Sequence, residues 1–302
     1  MTEEIPAALN LGEARLTKPK PKWSTGIALG LIHLGACAAF LPMFFSWQAV
    51  LVAFVLYYLT GGVGITFCFH RLLTHRSLVV PKWLEYGTAI VGTLALQGGP
   101  IDWVATHRAH HAYSDTERDP HNARRGFWWS HVLWLFAPNP ARLTPAEEVR
   151  FAPDLAKDPF YRMLDKIPLL LQIALGVGLF LLGGWPFVVW GIFVRLVVTY
   201  NVTWFVNSAA HLFGYRTYDA SDLSTNNWWV GLMAWGEGWH NNHHAFPFSA
   251  RHGLGRKEFD MTWITIRQLE LLGLAKDVKV PTPAMLTRAL NRKRMSAAED
   301  VA

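Results

Sequence analysis

Charge is what long parts of this chain lack. In its 302 residues, no Asp, Glu, Lys or Arg occurs from Ser24 to Phe69, and none from Ile167 to Val194; after Arg195 the next charged residue is Arg216. Such runs exclude an ordinary soluble domain. Each is long enough to cross a hydrocarbon core of about 30 Å at about 1.5 Å per helical residue. Cysteine is also scarce. Cys37 and Cys68 are the only two, and both lie inside apolar runs, where they read as buried small residues and not as a disulfide framework. Residues 1–22 contain Glu3, Glu4, Glu13 and three prolines without an apolar core, which excludes a cleavable signal peptide. They read as a mobile leader ending in Lys18-Pro19-Lys20-Pro21-Lys22. No internal repeat or low-complexity tract is visible.

The first uncharged run is about twice the length of one crossing, so it reads as two helices and a tight turn. The expected fold is all-α and integral to the membrane: four transmembrane helices in two hairpins with a cytoplasmic helical cap. The helices fall at about 24–44, 48–67, 167–182 and 187–206. The turns are Phe45-Ser46-Trp47 and Gly183-Gly184-Trp185-Pro186, and neither carries a basic residue. Lys and Arg gather in the leader, in 68–166 and after 207, which puts both termini and both long polar segments in the cytoplasm of a bacterial inner membrane. Residues 23–287 form one domain, and 288–302 read as a charged, frayed tail. The apolar stretch Trp83 to Gln97 is too short and too charged at its start for a fifth crossing, and suits an interfacial or buried helix. The net charge of +6 follows from the same loop asymmetry and does not call for nucleic acid as a partner.

The thirteen histidines are clustered. His70-Arg-Leu-Leu-Thr-His75, His107-Arg-Ala-His110-His111 and His240-Asn-Asn-His243-His244 lie in or beside the cytoplasmic segments, with His211 just past the fourth helix. Helical residues at i, i+3 and i+4 share a face, so each of the two triplets aims three imidazoles at one spot. Three bare imidazoles together cost desolvation and, when protonated, repulsion; a bound cation removes both costs. His70 and His75 are five apart, about 140° around a regular helix, so they need either two metals or an unwound helix end. His33 reads as a hydrogen-bonded core residue, and His121, His131 and His252 as non-ligands. Nine imidazoles exceed the need of one zinc, which takes about four ligands, and suit two ions of higher coordination number, compatible with iron. The membrane helices carry no Glu-x-x-His, the mark of a carboxylate-bridged di-iron bundle.

The boxes HRLLTH, HRAHH and HNNHH, with Asp119-Pro-His-Asn-Ala-Arg-Arg-Gly-Phe-Trp-Trp-Ser-His131, Asn207-Ser-Ala-Ala-His211 and Gly236-Glu-Gly-Trp-His-Asn-Asn-His-His-Ala-Phe-Pro247, make the chain resemble the membrane fatty-acid desaturases. The branch is the stearoyl-CoA Δ9 desaturase-like, bacterial type, and the resemblance runs from about Trp23 to about Leu272. It implies that His70, His75, His107, His110, His111, His211, His240, His243 and His244 ligate two irons, with Asn207 reaching one metal through water. It also implies an acyl tunnel. Trp103, Trp128 and Trp204 are its candidate walls, though interface or core aromatics read equally well. Gln97 and Thr203 shape its bend, Tyr58 closes it, and Gly62 leaves room for a longer chain.

The implied reaction uses dioxygen and an external electron donor to place a cis double bond, at Δ9, in a long saturated acyl chain. The chain lacks a cytochrome b5-like HPGG motif, so the donor is a separate protein of ferredoxin, rubredoxin or cytochrome b5 type with its reductase. Animal acyl-CoA members carry Arg-Asp before the second box and a basic pair after the next helix; here Ala105-Thr106 and Pro138-Asn139 stand there. Arg124 and Arg125 could bind a phosphate or brace the fold. The carrier, CoA, acyl carrier protein or membrane lipid, therefore stays open. The alternatives are a di-iron hydroxylase or ketolase of the same superfamily and a non-catalytic metal-binding membrane protein; the latter predicts ligands along a path within the spans.

Overall fold

The computed structural model describes residues 19–299, with side chains to residue 293. Most of the expected leader, residues 1–18, lies outside the described residues, as do residues 300–302. The described residues form helices joined by loops and isolated β-bridges, with no strand.

Three helical stretches are long and apolar enough to cross a membrane: Trp23–Phe40, Trp47–Thr74 and Pro168–Leu212. The first has no buried residue in its α-helical part, Trp23–Cys37, although its sequence is almost wholly apolar. An uncharged helix with nothing buried has its apolar surface left for lipid. Cys37 shares that exposure, contrary to the expectation of burial; only Cys68 is buried. The expected first helix ends earlier than 44, because Leu41 is extended and Pro42–Phe44 turns separately. The second begins at Trp47, capped by Ser46, whose side chain accepts from the Ala49 amide.

That second helix does not stop near residue 67. It runs on through Tyr58–Thr74 as a π-helix. In its last turn the His75 amide donates to the His70 carbonyl at 3.1 Å and the Thr74 hydroxyl to the Phe69 carbonyl at 2.7 Å, both five residues back. This wide-turned stretch is the axis of the polar part. The helices Lys82–Thr93, Pro100–Tyr113 and Met261–Leu271 all pack against it. Lys82–Thr93 crosses at a glycine pair: a Cβ on Gly64 would lie 2.5 Å from the Gly92 backbone.

The third stretch is continuous only in its hydrogen bonding. Gly183 and Gly184 have non-helical backbone, and Gly184, at φ 64°, sits where glycine is favoured. The halves on either side fold back on one another, so a Cβ on Gly191 would meet the Leu179 side chain at 2.7 Å. The Trp190 indole donates to the Phe44 carbonyl at 3.0 Å, which brings the turn before Trp47 beside this fold-back. Arg195 is buried among carbonyls, donating to Leu94 at 2.7 Å and Gly191 at 3.0 Å, and to the Gln172 amide oxygen at 3.1 Å. It thereby satisfies the end of the Lys82–Thr93 helix, whose last carbonyls lack intrahelical partners. The chain beyond 287, expected to fray, continues the helix Pro283–Glu299. Thr282 caps its start through the Met285 amide, and the segment is rich in good helix formers.

The glycine crossing yields a direct test. Gly64→Ala must push the Lys82–Thr93 helix away, at a cost of about 1–3 kcal/mol for overpacking. The thermal unfolding midpoint of the chain in detergent should fall; an unchanged midpoint contradicts the close approach.

Candidate metal centre

The wide turn resolves the difficulty of His70 and His75. Residues five apart stand one above the other when hydrogen bonds run i to i+5, and their rings lie 4.9 Å apart. The Pro100–Tyr113 helix starts with Pro100 at its first turn and brings His107 and His111 to one side of the cluster and His110 to the other, not all three to one spot as expected. The short helix His240–Ala245 supplies the third set. The Arg195–Asn207 helix breaks at Ser208, and Ala209–Leu212 carries His211 inward.

The nine histidines gather as five and four. His70, His75, His107, His111 and His243 offer ligand atoms around one point, and His110, His211, His240 and His244 around another. The groups adjoin, since the His111 and His244 rings stack at 4.6 Å. Within the first group, Nε2 atoms face each other at 3.1 Å (His70 and His243), 2.9 Å (His243 and His111) and 3.1 Å (His111 and His107). In the second they face at 3.0 Å (His211 and His240), 3.0 Å (His240 and His244) and 3.4 Å (His110 and His244). Metal–imidazole bonds of about 2.1 Å put adjacent nitrogens about 3.0 Å apart in an octahedral arrangement and about 3.4 Å apart in a tetrahedral one. Most of the spacings suit the higher coordination number.

Four carboxylates, none of them among the sequence candidates, stand behind these rings. His70 Nδ1 lies 2.7 Å from Glu237, His110 Nδ1 3.0 Å from Asp119, His211 Nδ1 3.0 Å from Asp115, and His244 Nδ1 2.7 Å from Asp222. A carboxylate only accepts, so Nδ1 carries the proton and Nε2 is left as a lone pair aimed at the cation. Glu237 has Glu-x-x-His spacing with His240, yet its oxygens go to His70, to His252 Nδ1 at 3.0 Å and to Arg71 at 3.0 Å. His252 and His121 sit behind Glu237 and Asp119, with His121 Nδ1 3.7 Å from Asp119. Each joins a further group with His70 or His110, but the Nε2 of His70 and of His110 is already directed to the main sites. His131 bonds Ser208 and Asn201, and His33 donates to the Leu29 carbonyl at 2.8 Å.

The protonation energetics fit neutral ligands. Burial, then repulsion from neighbouring imidazoles, holds His75, His107, His111, His240, His243 and His244 well below the usual histidine range. Burial acts the same way on His110, but Asp119 more than offsets it and its value is raised. Burial alone would push the carboxyls of Asp115, Asp119, Asp222 and Glu237 up; the groups bonded to them reverse this and hold all four below their ordinary values. Strained backbone collects here as well. Among the described residues, Arg76, Leu96, Asp115, Trp235 and Asp277 are the non-glycine residues with left-handed φ. The first follows His75, and the next three line a cavity or hold a ligand histidine.

Two cavities meet at the cluster. One, of about 490 Å³, opens among Lys22, Ser24, Asp102, Arg142 and Glu148 and runs to Trp103 and His107. The other, about 50 Å³, runs from the histidines to Tyr57, Gly61 and Trp235. Trp103, His107, Thr203 and Asn207 line both, so the two cavities join there into one channel. The Gln97 amide donates to the Thr203 hydroxyl at 2.9 Å beside this junction, and Trp204 lines the wider arm. Three of the residues expected along the tunnel line neither cavity. Trp128 is 66% exposed and lines neither cavity, because the short helix Phe127–His131 turns it outward. Tyr58 and Gly62 also line neither: the π-helix shifts the register, so Tyr57 and Gly61 face the channel while the Tyr58 hydroxyl meets Thr265 at 2.8 Å. Arg124 donates to the Asp115 carbonyl and Arg125 lies over the Trp129 ring, so both brace the fold.

Two outcomes follow from this chemistry. Asp119→Asn removes the negative charge behind His110 and leaves one accepting oxygen where His110, the Asp115 amide and the His121 amide now share two, so metal affinity should fall roughly 10–100-fold, measured by competition with a chelator; undiminished affinity contradicts the role. Acid should destabilise the metal-free protein. His75, His107, His111, His240, His243 and His244 have folded values below their unfolded value of about 6.5, so the unfolded chain binds more protons as pH falls below that; the raised His110 opposes this in part, and the lowered carboxylates act in the destabilising direction further down. His121, pushed down to about 3 by burial and by His110, extends the loss to that pH. Urea unfolding at stepped pH checks this, and a midpoint that holds constant from pH ~7 to pH ~4 contradicts it.

Residues 45–263 match the family model of the fatty acid desaturases. The chain is 58% identical over 268 residues to an sn-1 stearoyl-lipid 9-desaturase of Anabaena variabilis, covering 88% of this chain and 97% of the relative. It is 56% identical over 267 residues to an sn-1 stearoyl-lipid 9-desaturase of Synechocystis sp. (strain ATCC 27184 / PCC 6803 / Kazusa), covering 88% and 83%. To an acyl-CoA C20 Delta5-desaturase of Anemone leveillei it is 46% identical over 267 residues, covering 86% and 84%. The described histidines and the joined cavities thus stand in a chain that belongs to the fatty acid desaturase family.

Proposed function

We propose that this protein introduces a cis double bond at the ninth carbon of a saturated long acyl chain carried on a membrane glycerolipid. The observation that carries the reading is the pair of cavities that join beside the histidine groups at Trp103, His107, Thr203 and Asn207, a junction we read as the elbow of a bent acyl channel. Methylenes offer no polar handle, so a fixed curved path is what selects which carbons react. His70, His75, His107, His111 and His243 hold one iron. His110, His211, His240 and His244 hold the other, with Asn207 completing it through water. When bound, the irons supply the oxygen-dependent removal of hydrogen from two adjacent methylenes, with electrons from an external ferredoxin, rubredoxin or cytochrome b5 type partner and its reductase. The chain's own part is to hold the imidazoles neutral, to bend the acyl chain at Gln97 and Thr203, and to keep water from the reacting carbons.

Two observations favour a lipid carrier over CoA. The relatives at 58% and 56% identity are named for lipid-borne stearoyl chains. Ala105 and Asn139 are buried, and the Asn139 amide donates to the Pro120 carbonyl at 2.8 Å, so neither offers a nucleotide a charge. The Gly183–Gly184 break supports reading the third stretch as two crossings, giving four spans in two hairpins. The Lys and Arg distribution supports termini and metal centre on the cytoplasmic side of a bacterial inner membrane. Residues 23–287 act as one domain behind a leader at 1–22.

Labelled stearoyl-CoA and labelled stearoyl-phospholipid, offered in parallel to the purified iron-loaded enzyme with a reducing donor, decide the carrier. The double bond should appear in the phospholipid. Gain only in the CoA ester overturns the carrier, and hydroxylated or keto product in place of a monoene overturns the desaturase reading. His243→Ala should abolish product and lower bound iron.

A further inference from the structure

The narrow arm of the channel ends on a residue that neither the histidine pattern nor the family comparison singles out. Trp235 lines it together with Tyr57 and Gly61, opposite the end where His70, His107 and His240 stand. Its backbone is left-handed at φ 56°, a conformation that bulky side chains rarely adopt. The surroundings enforce it: the Thr262 amide donates to the Trp235 carbonyl at 3.0 Å, and the Gly236 amide to Gly231 at 2.8 Å. The indole rests on a ledge of two glycines. A Cβ on Gly61 would lie 3.3 Å from its Nε1, and one on Gly62 would lie 3.5 Å from its Cδ1. The rings of Tyr57 and Tyr58 pack around it at 5.0 and 5.1 Å. Its Nε1 is buried without a hydrogen-bond partner, although a buried indole N–H usually finds one. Strain and an unpaired donor are both tolerated at this spot, so the indole is placed for its shape.

We propose that Trp235 is a specificity-determining residue: its indole is the stop against which the methyl end of the bound acyl chain rests, and so it sets the longest chain that can be desaturated. This rests on the desaturase reading above. The head group is held at the wide mouth and the reacting carbons at the elbow, so only the length beyond the elbow is left for the narrow arm to measure. One methylene too many in an apolar pocket is rejected roughly 10-fold or more.

The test uses the full-length, iron-loaded enzyme and saturated chains from sixteen to twenty-two carbons on one glycerolipid carrier. Trp235→Val should raise the ratio of twenty-carbon to eighteen-carbon monoene roughly 10-fold or more. Gly61→Ala, which adds a methyl group to the lining of the narrow arm 3.3 Å from the indole Nε1 and so shortens the space, should shift preference to shorter chains. The same orderings should appear without turnover, in thermal stabilisation of the metal-free protein by lipids of each length. Unchanged ratios in variants that hold iron overturn the inference while leaving the desaturase reading intact. Absence of monoene from the wild type overturns both. Should Trp235→Val fail to hold iron, Gly61→Ala decides alone, and an unshifted preference overturns the inference.

Discussion

The polar half of this molecule depends on the pairing of buried imidazoles with buried carboxylates. Neither partner could be buried alone at acceptable cost. Together each solves the other's problem: the acid keeps its charge because N–H groups surround it, and the ring keeps one proton, on the nitrogen away from the metal. Asp115 shows how far the pairing organises the chain. Besides His211, it accepts from the Leu223 amide at 2.8 Å and from the Ala123 amide at 3.2 Å, so one side chain ties the connection after Tyr113 to the short helix Ala209–Leu212 and to the loop at Leu223. Glu237 does the same for the second helix, through His70 and Arg71, and Arg71 goes on to Asp260 at 3.0 Å and the Ala250 carbonyl at 2.8 Å. The loops between the helices are therefore ordered by the same bonds that tune the metal centre.

The apolar half poses the opposite problem, how to leave surface unburied. Leu31, Leu34, Leu181 and Leu182 are each at least 60% exposed on helices without charge, which suits lipid and would be a liability in water. Where the halves meet, the long second helix carries the transition along its own length. It starts among exposed residues at Trp47, lines the narrow arm at Tyr57 and Gly61, and ends by presenting His70. One continuous element thus carries both part of the narrow arm's lining and a histidine of the five-membered group.

Much of this was legible in the sequence, for physical reasons. Triplets at i, i+3 and i+4 marked His107, His110, His111, His240, His243 and His244 as ligands, but their division was misread. Each triplet was expected to meet at one spot, whereas His110 parts from His107 and His111, and His243 from His240 and His244, because i+3 and i+4 lie about 100° apart around a helix and can face two neighbouring sites. Long uncharged runs marked the membrane half. What could not be read is equally specific. Helical pitch was assumed regular, and the π-helix Tyr58–Thr74 both brings His70 and His75 together and rotates Tyr57, in place of Tyr58, into the channel. Asp119 and Glu237 were visible inside the DPHN and GEGWHN motifs, yet nothing in their spacing shows that they face a ring nitrogen. Asp115 and Asp222 carried no motif at all. Trp128 was a candidate wall as an aromatic beside the histidine boxes, but a five-residue helix turns it to the surface.

The central claim is that the nine histidines form two metal sites of different make-up, one with five imidazoles and one with four. Mössbauer spectroscopy of the protein loaded with enriched iron reads this directly. Two quadrupole doublets of equal area, both with high-spin nitrogen-rich parameters, are the expected result. A single doublet, or a protein that fills only one site and prefers zinc there, contradicts it.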